Sequence, residues 1–257
     1  MGATKIEFRL RMAITVAIIT VGYWAPWIEA WGIGSRISLL GWLAHGLVQT
    51  GLVRFAVAAP LMIVLATLIA AVGAVLRVWG TAYLGAFTVN HLQMRAGAVL
   101  ADGPYQYVRN PLYLGNWFMF AAMAFLMPVS GALFAMVLLT AFHLRLILGE
   151  EAFLTSQLGE PYQSYLRVVP RLLPRLRNAP GSTGPKHGSP GSSGRKPQWL
   201  RAILAELCPI GVFLTLAFLS WSYDNWLMIR GVIISFGVSL VARALLPRNE
   251  EQPGVAR

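Results

Sequence analysis

Two long stretches of this chain carry no Asp, Glu, Lys or Arg, and they limit what the chain can fold into. The first is Phe55–Leu76, and the second runs for 35 residues from Asn110 to Leu144. A helix needs about 20 apolar residues to cross about 30 Å of hydrocarbon. The second stretch would be about 52 Å long as one helix, and the turn-forming run Met127–Gly131 interrupts it near the middle. It therefore predicts a helical hairpin of two short spans.

Further apolar segments fill much of the chain. Three more stretches are candidate spans: Met12–Trp31, Ile203–Tyr223 and Asn225–Leu246. Ile37–Val53 is shorter and more polar, and it is either a weak span or a helix lying at the interface. Only 12% of residues are charged and mean hydropathy is +0.60, whereas soluble domains carry about 25% charged residues. We predict an all-α integral membrane protein of about six transmembrane helices, with Ile37–Val53 not crossing.

The basic residues lie beside the apolar spans. Net charge is +11, and Pro161–Ala205 holds eight Lys and Arg but no Asp or Glu. Cytoplasmic loops carry such an excess of Lys and Arg, so this loop and both termini are expected to be cytoplasmic, as in a bacterial inner membrane. Anionic lipid headgroups account for this charge better than nucleic acid does. Cys208 is the single cysteine, and the histidines lack metal-ligand spacing, so no metal site is expected.

Composition also divides the chain. Asn178–Pro197 contains 13 Gly, Pro and Ser among 20 residues, and such a segment cannot bury a core. We therefore expect a membrane core at 1–176, a flexible linker at 177–198 and a C-terminal two-helix membrane extension at 199–257. The sequence indicates neither the role of that extension nor an oligomeric state.

Polar residues concentrate in two segments that flank the predicted hairpin. One runs from Asn90 to Gly115, and the other from Arg145 to Pro174. A hairpin returns the chain to the same membrane face, so the two segments can converge there. The pair Glu150–Glu151 closes an apolar helix, where carboxylates are costly unless they are paired or used. The pair is either functional or part of a structural ion-pair network.

The run from Ala98 to Gly115, which reads AVLADGPYQYVRNPLYLG, resembles the cofactor motif of the isoprenylcysteine carboxyl methyltransferases and related membrane phospholipid methyltransferases. The second element of the family also matches: Glu150–Glu151, then Tyr162 and Tyr165, then a basic exit with Pro170 and Arg171. The resemblance covers residues 84–175. The family often has Arg-His-Pro where this chain has Arg-Asn-Pro, and Asn cannot take part in acid–base chemistry.

The resemblance implies S-adenosylmethionine as cofactor and a lipid-like or isoprenoid methyl acceptor. Glu150 would bind the amino group or ribose of the cofactor, with Glu151 as the alternative, and Arg145 would face an anionic acceptor group. The other expected cofactor contacts are Asn90, Gly97, Ala98, Val99, Leu100, Tyr105, Asn110, Pro111, Leu112 and Tyr113. A carboxylate acceptor is favoured, because it is already ionised at neutral pH and the sequence shows no evident base for an amine.

Two other classes of protein remain open. Membrane sterol reductases use a similar segment to bind NADPH, and they would need a basic pocket for its 2′-phosphate. A non-enzymatic scaffold or transporter would be expected to carry polar residues at the midplane or paired broken helices. The Glu pair close to the second motif resembles the methyltransferases more than either alternative.

Overall fold

The structure is a computed structural model that describes residues 2–24, 37–85, 99–174, 196–222 and 225–245. Within these ranges all regular structure is helical, apart from an isolated β-bridge between Ser38 and Pro128. A 3-10 turn lies at Gly103–Gln106. The α-helices are α1 (Lys5–Arg9), α2 (Arg11–Tyr23), α3 (Leu39–Gln49), α4 (Phe55–Leu84), α5 (Pro111–Ala124), α6 (Val129–Leu158), α7 (Glu160–Val168), α8 (Trp199–Ala205), α9 (Leu207–Ser222) and α10 (Asn225–Leu245).

Two of these helices, α4 and α6, are long and apolar enough to cross a membrane. Each has 30 residues and a length of about 45 Å. The pair α8 and α9 is bent by 69° and is a third candidate if it counts as one span. The chain is an integral membrane protein, but six spans are not confirmed. Helix α3 has 11 residues and is about 17 Å long, too short to cross alone.

The predicted hairpin is present, and its two helices differ in length. Helix α5 ends at Ala124 and α6 begins at Val129, so the break, residues 125–128, overlaps the start of the run expected from the sequence. Helix α5 has 14 residues and is about 21 Å long. The sequence located the turn but not this asymmetry, because α6 continues beyond the uncharged stretch to Leu158 and carries the Glu pair on its last turns.

Helix α5 packs closely on α4 at two glycines. A Cβ added to Gly73 would lie 2.8 Å from the carbonyl oxygen of Gly115, and a Cβ added to Gly115 would lie 2.9 Å from the carbonyl oxygen of Gly73. Small residues let membrane helices approach closely enough for van der Waals packing between backbones. This contact fixes the start of the hairpin against α4.

The N-terminal segment packs on the middle of α6, at Arg145. The backbone N–H of Ala3 donates to the carbonyl of Arg145 at 2.8 Å, and the Arg145 guanidinium contacts Glu7 at 2.9 Å. Hydrogen bonds, first from the backbone N–H of Thr4 and then from Arg145, lower the pKa of Glu7 to about 2. Any stability from this carboxylate is therefore present above its ordinary pKa and is lost as pH falls through about 2.

A buried ion pair attaches the C-terminal helices to the core. Glu206 lies at the bend between α8 and α9 and is fully buried. Its carboxylate contacts Arg77 of α4 through two bonds of 2.6 and 3.0 Å and accepts a third from the Thr81 hydroxyl at 2.6 Å. Arg77 also donates to the side-chain oxygen of Asn116 on α5 at 2.5 Å. One polar cluster therefore joins α4, α5 and the extension.

Removing one partner of this pair should destabilise the protein strongly. Glu206→Gln or Arg77→Met leaves a buried charge without its counter-charge, which costs about 3–5 kcal/mol of unfolding free energy. The double variant Arg77→Met with Glu206→Met should recover most of that loss. Titration with sodium dodecyl sulfate in detergent measures the free energy of unfolding of the wild-type protein, the single variants and the double variant. Arg54→Met is the control, because Arg54 is an exposed arginine just before α4. Single variants that behave like this control would show that the pair is solvated.

Candidate functional site

The two polar segments meet at the carboxylate of Glu151. This side chain is only 8% exposed; Arg109 contacts it at 3.2 Å and Arg171 at 2.7 Å. The side-chain amide of Asn110 donates to the same carboxylate at 3.4 Å. The hydrogen bond to Glu151 raises the pKa of Arg171. The acid at the end of α6 is thus held by one arginine from each polar segment.

Hydrogen bonds to the backbone join the same two segments. The N–H of Arg109 donates to the carbonyl of Pro170 at 2.9 Å. The Asn110 amide donates to the carbonyl of Arg171 at 3.2 Å, and the Tyr165 hydroxyl donates to the carbonyl of Tyr105 at 2.7 Å. The convergence expected from hairpin topology is therefore observed. Asn110 precedes α5 without capping it through its side chain, because its amide is used in these contacts between segments.

The 3-10 turn before Asn110 has a shape that requires glycine. Gly103 has φ of +60°, and a Cβ there would lie 2.5 Å from the Tyr83 ring of α4. Trp79 of α4 also packs on Tyr107, with ring centroids 6.2 Å apart. These contacts hold the turn on the end of α4. Tyr105, in the middle of the turn, is buried with its ring against the protein interior.

Two buried polar atoms beside this turn have no hydrogen-bond partner within the described residues. They are the hydroxyl oxygen of Tyr105 and Nε of Arg109. Burial raises the pKa of Tyr105 well above its ordinary value, so the hydroxyl keeps its proton at neutral pH. Buried polar atoms are rarely left unsatisfied unless a ligand, ion or water completes them. The site is therefore able to hold a polar ligand.

Glu150 has surroundings different from those of Glu151. The Tyr113 hydroxyl of α5 donates to its carboxylate, and Arg11 of α2 is near enough to act on it electrostatically. Consecutive helix residues point about 100° apart, so the two acids face different neighbours. Two arginines contact Glu151, whereas Glu150 accepts a hydrogen bond from the Tyr113 hydroxyl and lies within electrostatic reach of Arg11.

The other residues expected from the sequence are placed as follows. Val99 is buried and Leu100 is partly buried just before the turn, and Pro111 is buried at the first position of α5. Leu112 packs against Gly80 of α4. Arg145 pairs with Glu7, as described above. Three expected cofactor contacts lie outside the described residues: Asn90, Gly97 and Ala98.

Several residues of this region were not given a role from the sequence. Arg109 and Arg171 stood inside the quoted motifs, and their arginine side chains near a buried acid were the available signal. Glu206 was treated as part of an apolar span. An acid inside such a span is costly unless it is paired or used in function, so its presence indicates an ion pair or a functional site. Within the described residues, no group of three or more His, Cys, Asp and Glu is arranged to hold a metal ion.

An apolar cavity of about 330 Å³ adjoins the site between α5 and α6. Tyr113, which binds Glu150, forms part of its wall, and so do Leu172 and Leu173, which follow Arg171. Trp117 donates to the Thr140 hydroxyl at 3.0 Å across the two helices. The remaining described lining residues are Leu114, Phe118, His143, Leu144 and Ile147.

Comparison with known proteins finds similarity over the region that contains this site. Residues 53–160 match the sequence model of the phospholipid methyltransferase family. The resemblance inferred from the motifs is confirmed. The matched segment contains α4, the turn, the whole hairpin and the Glu pair.

Two curated relatives share part of this region. The chain is 46% identical over 70 residues to a methanethiol S-methyltransferase of Crocosphaera subtropica, which is 27% of each protein. It is 40% identical over 80 residues to a protein-S-isoprenylcysteine O-methyltransferase of Schizosaccharomyces pombe, which is 30% of this chain and 34% of that protein. The alignments thus span about a third or less of each relative. No solved structure matches the chain.

The Glu151 contacts should be essential to the fold of the site. Glu151→Gln removes the counter-charge of two arginines, and hydrogen bonds to charged groups contribute about 1.5–3 kcal/mol each. Glu160→Gln is the matched control, because its contact with Arg167 is 3.7 Å long and both side chains are largely exposed, which predicts a loss of about 0–1 kcal/mol. Thermal unfolding in detergent compares the two. Equal losses would contradict the assigned role of Glu151.

Proposed function

We propose that this protein is a membrane methyltransferase that uses S-adenosylmethionine to methylate an acceptor with an apolar chain. The observation that carries the proposal is the junction of the two family motifs at Glu151, next to Glu150 and an apolar cavity. The family match over residues 53–160 supports it. The names of the two relatives add support, since both describe methyl transfer, one to a thiol and one to isoprenylcysteine.

The residues present fit such a cofactor. S-adenosylmethionine supplies a methyl group on a positively charged sulfonium. Glu150 offers a carboxylate for its amino group or ribose hydroxyls, and Tyr105 and Arg109 offer buried donors without partners. The backbone at Val99 and Leu100 would form the rest of that wall, and Gly97 and Ala98, which the family motif also implies, lie outside the described residues. Glu151 is less suited to ligand binding, because two arginines already use it.

The protein's part in the reaction is to hold the two reactants in line and to exclude water. Positioning alone can supply much of a rate enhancement. Tyr113 belongs both to the Glu150 contact and to the cavity wall, so an acceptor chain in the cavity would place its head group beside the cofactor. This arrangement suits a substrate that enters from the lipid phase.

The competing functions are less well supported. A reductase would need free basic groups for the 2′-phosphate of NADPH, but Arg109 and Arg171 are both bound to Glu151. A transporter would need accessible polar residues within its spans, whereas Glu206 is fully buried and bonded to Arg77 and Thr81. We place the active site at the cytoplasmic face of a bacterial inner membrane, following the basic loops. A carboxylate remains the acceptor group favoured by sequence reasoning.

The purified protein should bind S-adenosylhomocysteine, the demethylated cofactor, with micromolar affinity, which is about −8 kcal/mol at 1 μM. Isothermal titration in detergent measures the affinity, with NADPH as the competing ligand. Tight binding of NADPH without a response to S-adenosylhomocysteine would favour the reductase and overturn the proposal.

Substitutions at Glu150 and Arg145 should separate cofactor binding from acceptor binding. Glu150→Gln should weaken S-adenosylhomocysteine by about 1.5–3 kcal/mol, because a charge-assisted contact is lost. Arg145→Ala should leave that affinity nearly unchanged and lower turnover of an anionic acceptor. Glu7→Gln is the control, since it breaks the Arg145 ion pair and keeps the arginine. If Glu7→Gln and Arg145→Ala reduce turnover equally, the arginine has only its structural role.

A further inference from the structure

Arg11 is the first residue of α2, and the packing of the N-terminal segment places it beside the candidate site. Its guanidinium lies over the ring of Phe8, with the carbon Cζ 4.4 Å from the ring centroid. Phe8 is buried against α6, in a cluster with Phe142 and Leu146. Tyr113 of α5 packs against the same cluster. Arg11 is therefore held at the apolar cluster that also contacts Tyr113.

The spacing along α6 extends this face of the helix to Glu150. Residues four positions apart lie one above the other on a helix surface, so Phe142, Leu146 and Glu150 follow one another on the face that carries Phe8. Arg11 is near enough to Glu150 to act on it electrostatically, as it also is to Tyr113. An arginine and a carboxylate from two separate helices therefore lie near each other at the candidate site.

Helix α2 is fixed on α6 at its other end, where small residues meet. A Cβ added to Gly22 would lie 2.9 Å from the Cβ of Ala135, and Ile18 and Ile19 pack on the cluster that contains Ala135. Small residues at such a contact let two membrane helices pack closely. The fold therefore determines where Arg11 lies, and no ligand is needed to bring it to the site.

The amino-acid end of S-adenosylmethionine carries two opposite charges at neutral pH, an α-carboxylate and an α-ammonium group. A protein carboxylate binds an ammonium group through a charge-assisted hydrogen bond, and an arginine binds a carboxylate through two parallel ones. An ionised group is costly in a desolvated site unless a counter-charge meets it. A site for both groups therefore needs one side chain of each sign, and Glu150 and Arg11 supply such a pair.

We propose that Arg11 binds the α-carboxylate of S-adenosylmethionine, while Glu150 binds its α-ammonium group. This inference rests on the proposed function, and it selects the amino group rather than the ribose hydroxyls as the partner of Glu150. The segment that matches the family model is 53–160, so Arg11 lies outside it. The N-terminal segment therefore supplies one of the two charges that recognise the amino-acid end of the cofactor.

Two ligands that differ only in the carboxylate test the inference. They are S-adenosylhomocysteine and its decarboxylated analogue, which keeps the adenosine, the thioether and the ammonium group. The wild-type protein should bind S-adenosylhomocysteine more tightly by about 10- to 100-fold, the effect expected of one charge-assisted contact. Arg11→Met should lose this preference. Arg11→Lys should keep a smaller one, because lysine retains the charge without the planar fork of arginine. Isothermal titration in detergent measures each dissociation constant.

Two further variants serve as controls. Arg9→Met removes an exposed arginine at the end of α1, and it should keep the wild-type preference between the two ligands. Glu150→Gln should weaken the binding of both ligands alike, because both carry the ammonium group, so the preference should persist there too. Thermal unfolding in detergent is the second measurement, and Arg11→Lys should be as stable as the wild-type protein.

The outcomes separate this inference from the proposed function. A wild-type protein that binds neither ligand would overturn the function itself. Equal binding of the two ligands by the wild-type protein, or a preference that Arg11→Met retains, would leave the function standing and overturn the inference. The inference also fails if both Arg11 variants lose affinity for the two ligands equally, together with thermal stability, since Arg11 would then be only a structural partner of Glu150.

Discussion

The carboxylate of Glu151 is the contact on which the arrangement of the site depends. Apolar burial drives helix association weakly in a lipid environment, because lipid tails are as apolar as leucine. A buried charge, in contrast, is strongly destabilising when it loses its partner. Arg109 lies before the hairpin and Arg171 lies after it, and both bind Glu151. The two polar segments are therefore held together by a requirement for charge neutrality.

This contact also explains how two adjacent acids acquire different uses. Once Glu151 is fixed toward Arg171, the helical geometry of α6 turns Glu150 toward Tyr113 of α5. Tyr113 in turn forms the wall between the polar site and the apolar cavity. A structural acid, an acid that we propose to face the ligand and a pocket for an apolar chain thus follow one another along α5 and α6.

The sequence predicted those features that depend on local pattern. Uncharged length and the run Met127–Gly131 located the hairpin, and hairpin topology predicted that the flanking motifs converge. The number of spans did not follow in the same way, because apolar composition sets neither helix length nor bends such as that at Glu206. The Arg77–Glu206 pair and the placement of Arg11 near Glu150 depend on contacts between distant segments, and no periodicity in the sequence encodes them.

The segment that matches the family model does not contain all the partners of its own buried charges. It covers residues 53–160 and includes Arg77 and Glu151, both largely buried. Glu206, which neutralises Arg77, and Arg171, which joins Arg109 at Glu151, both lie beyond its end. Cutting the chain at residue 160 would leave Arg77 without its carboxylate. The ion pair with Glu206 therefore ties the C-terminal helices to the motif region, since a core that ended at residue 160 would retain a buried charge it could not neutralise.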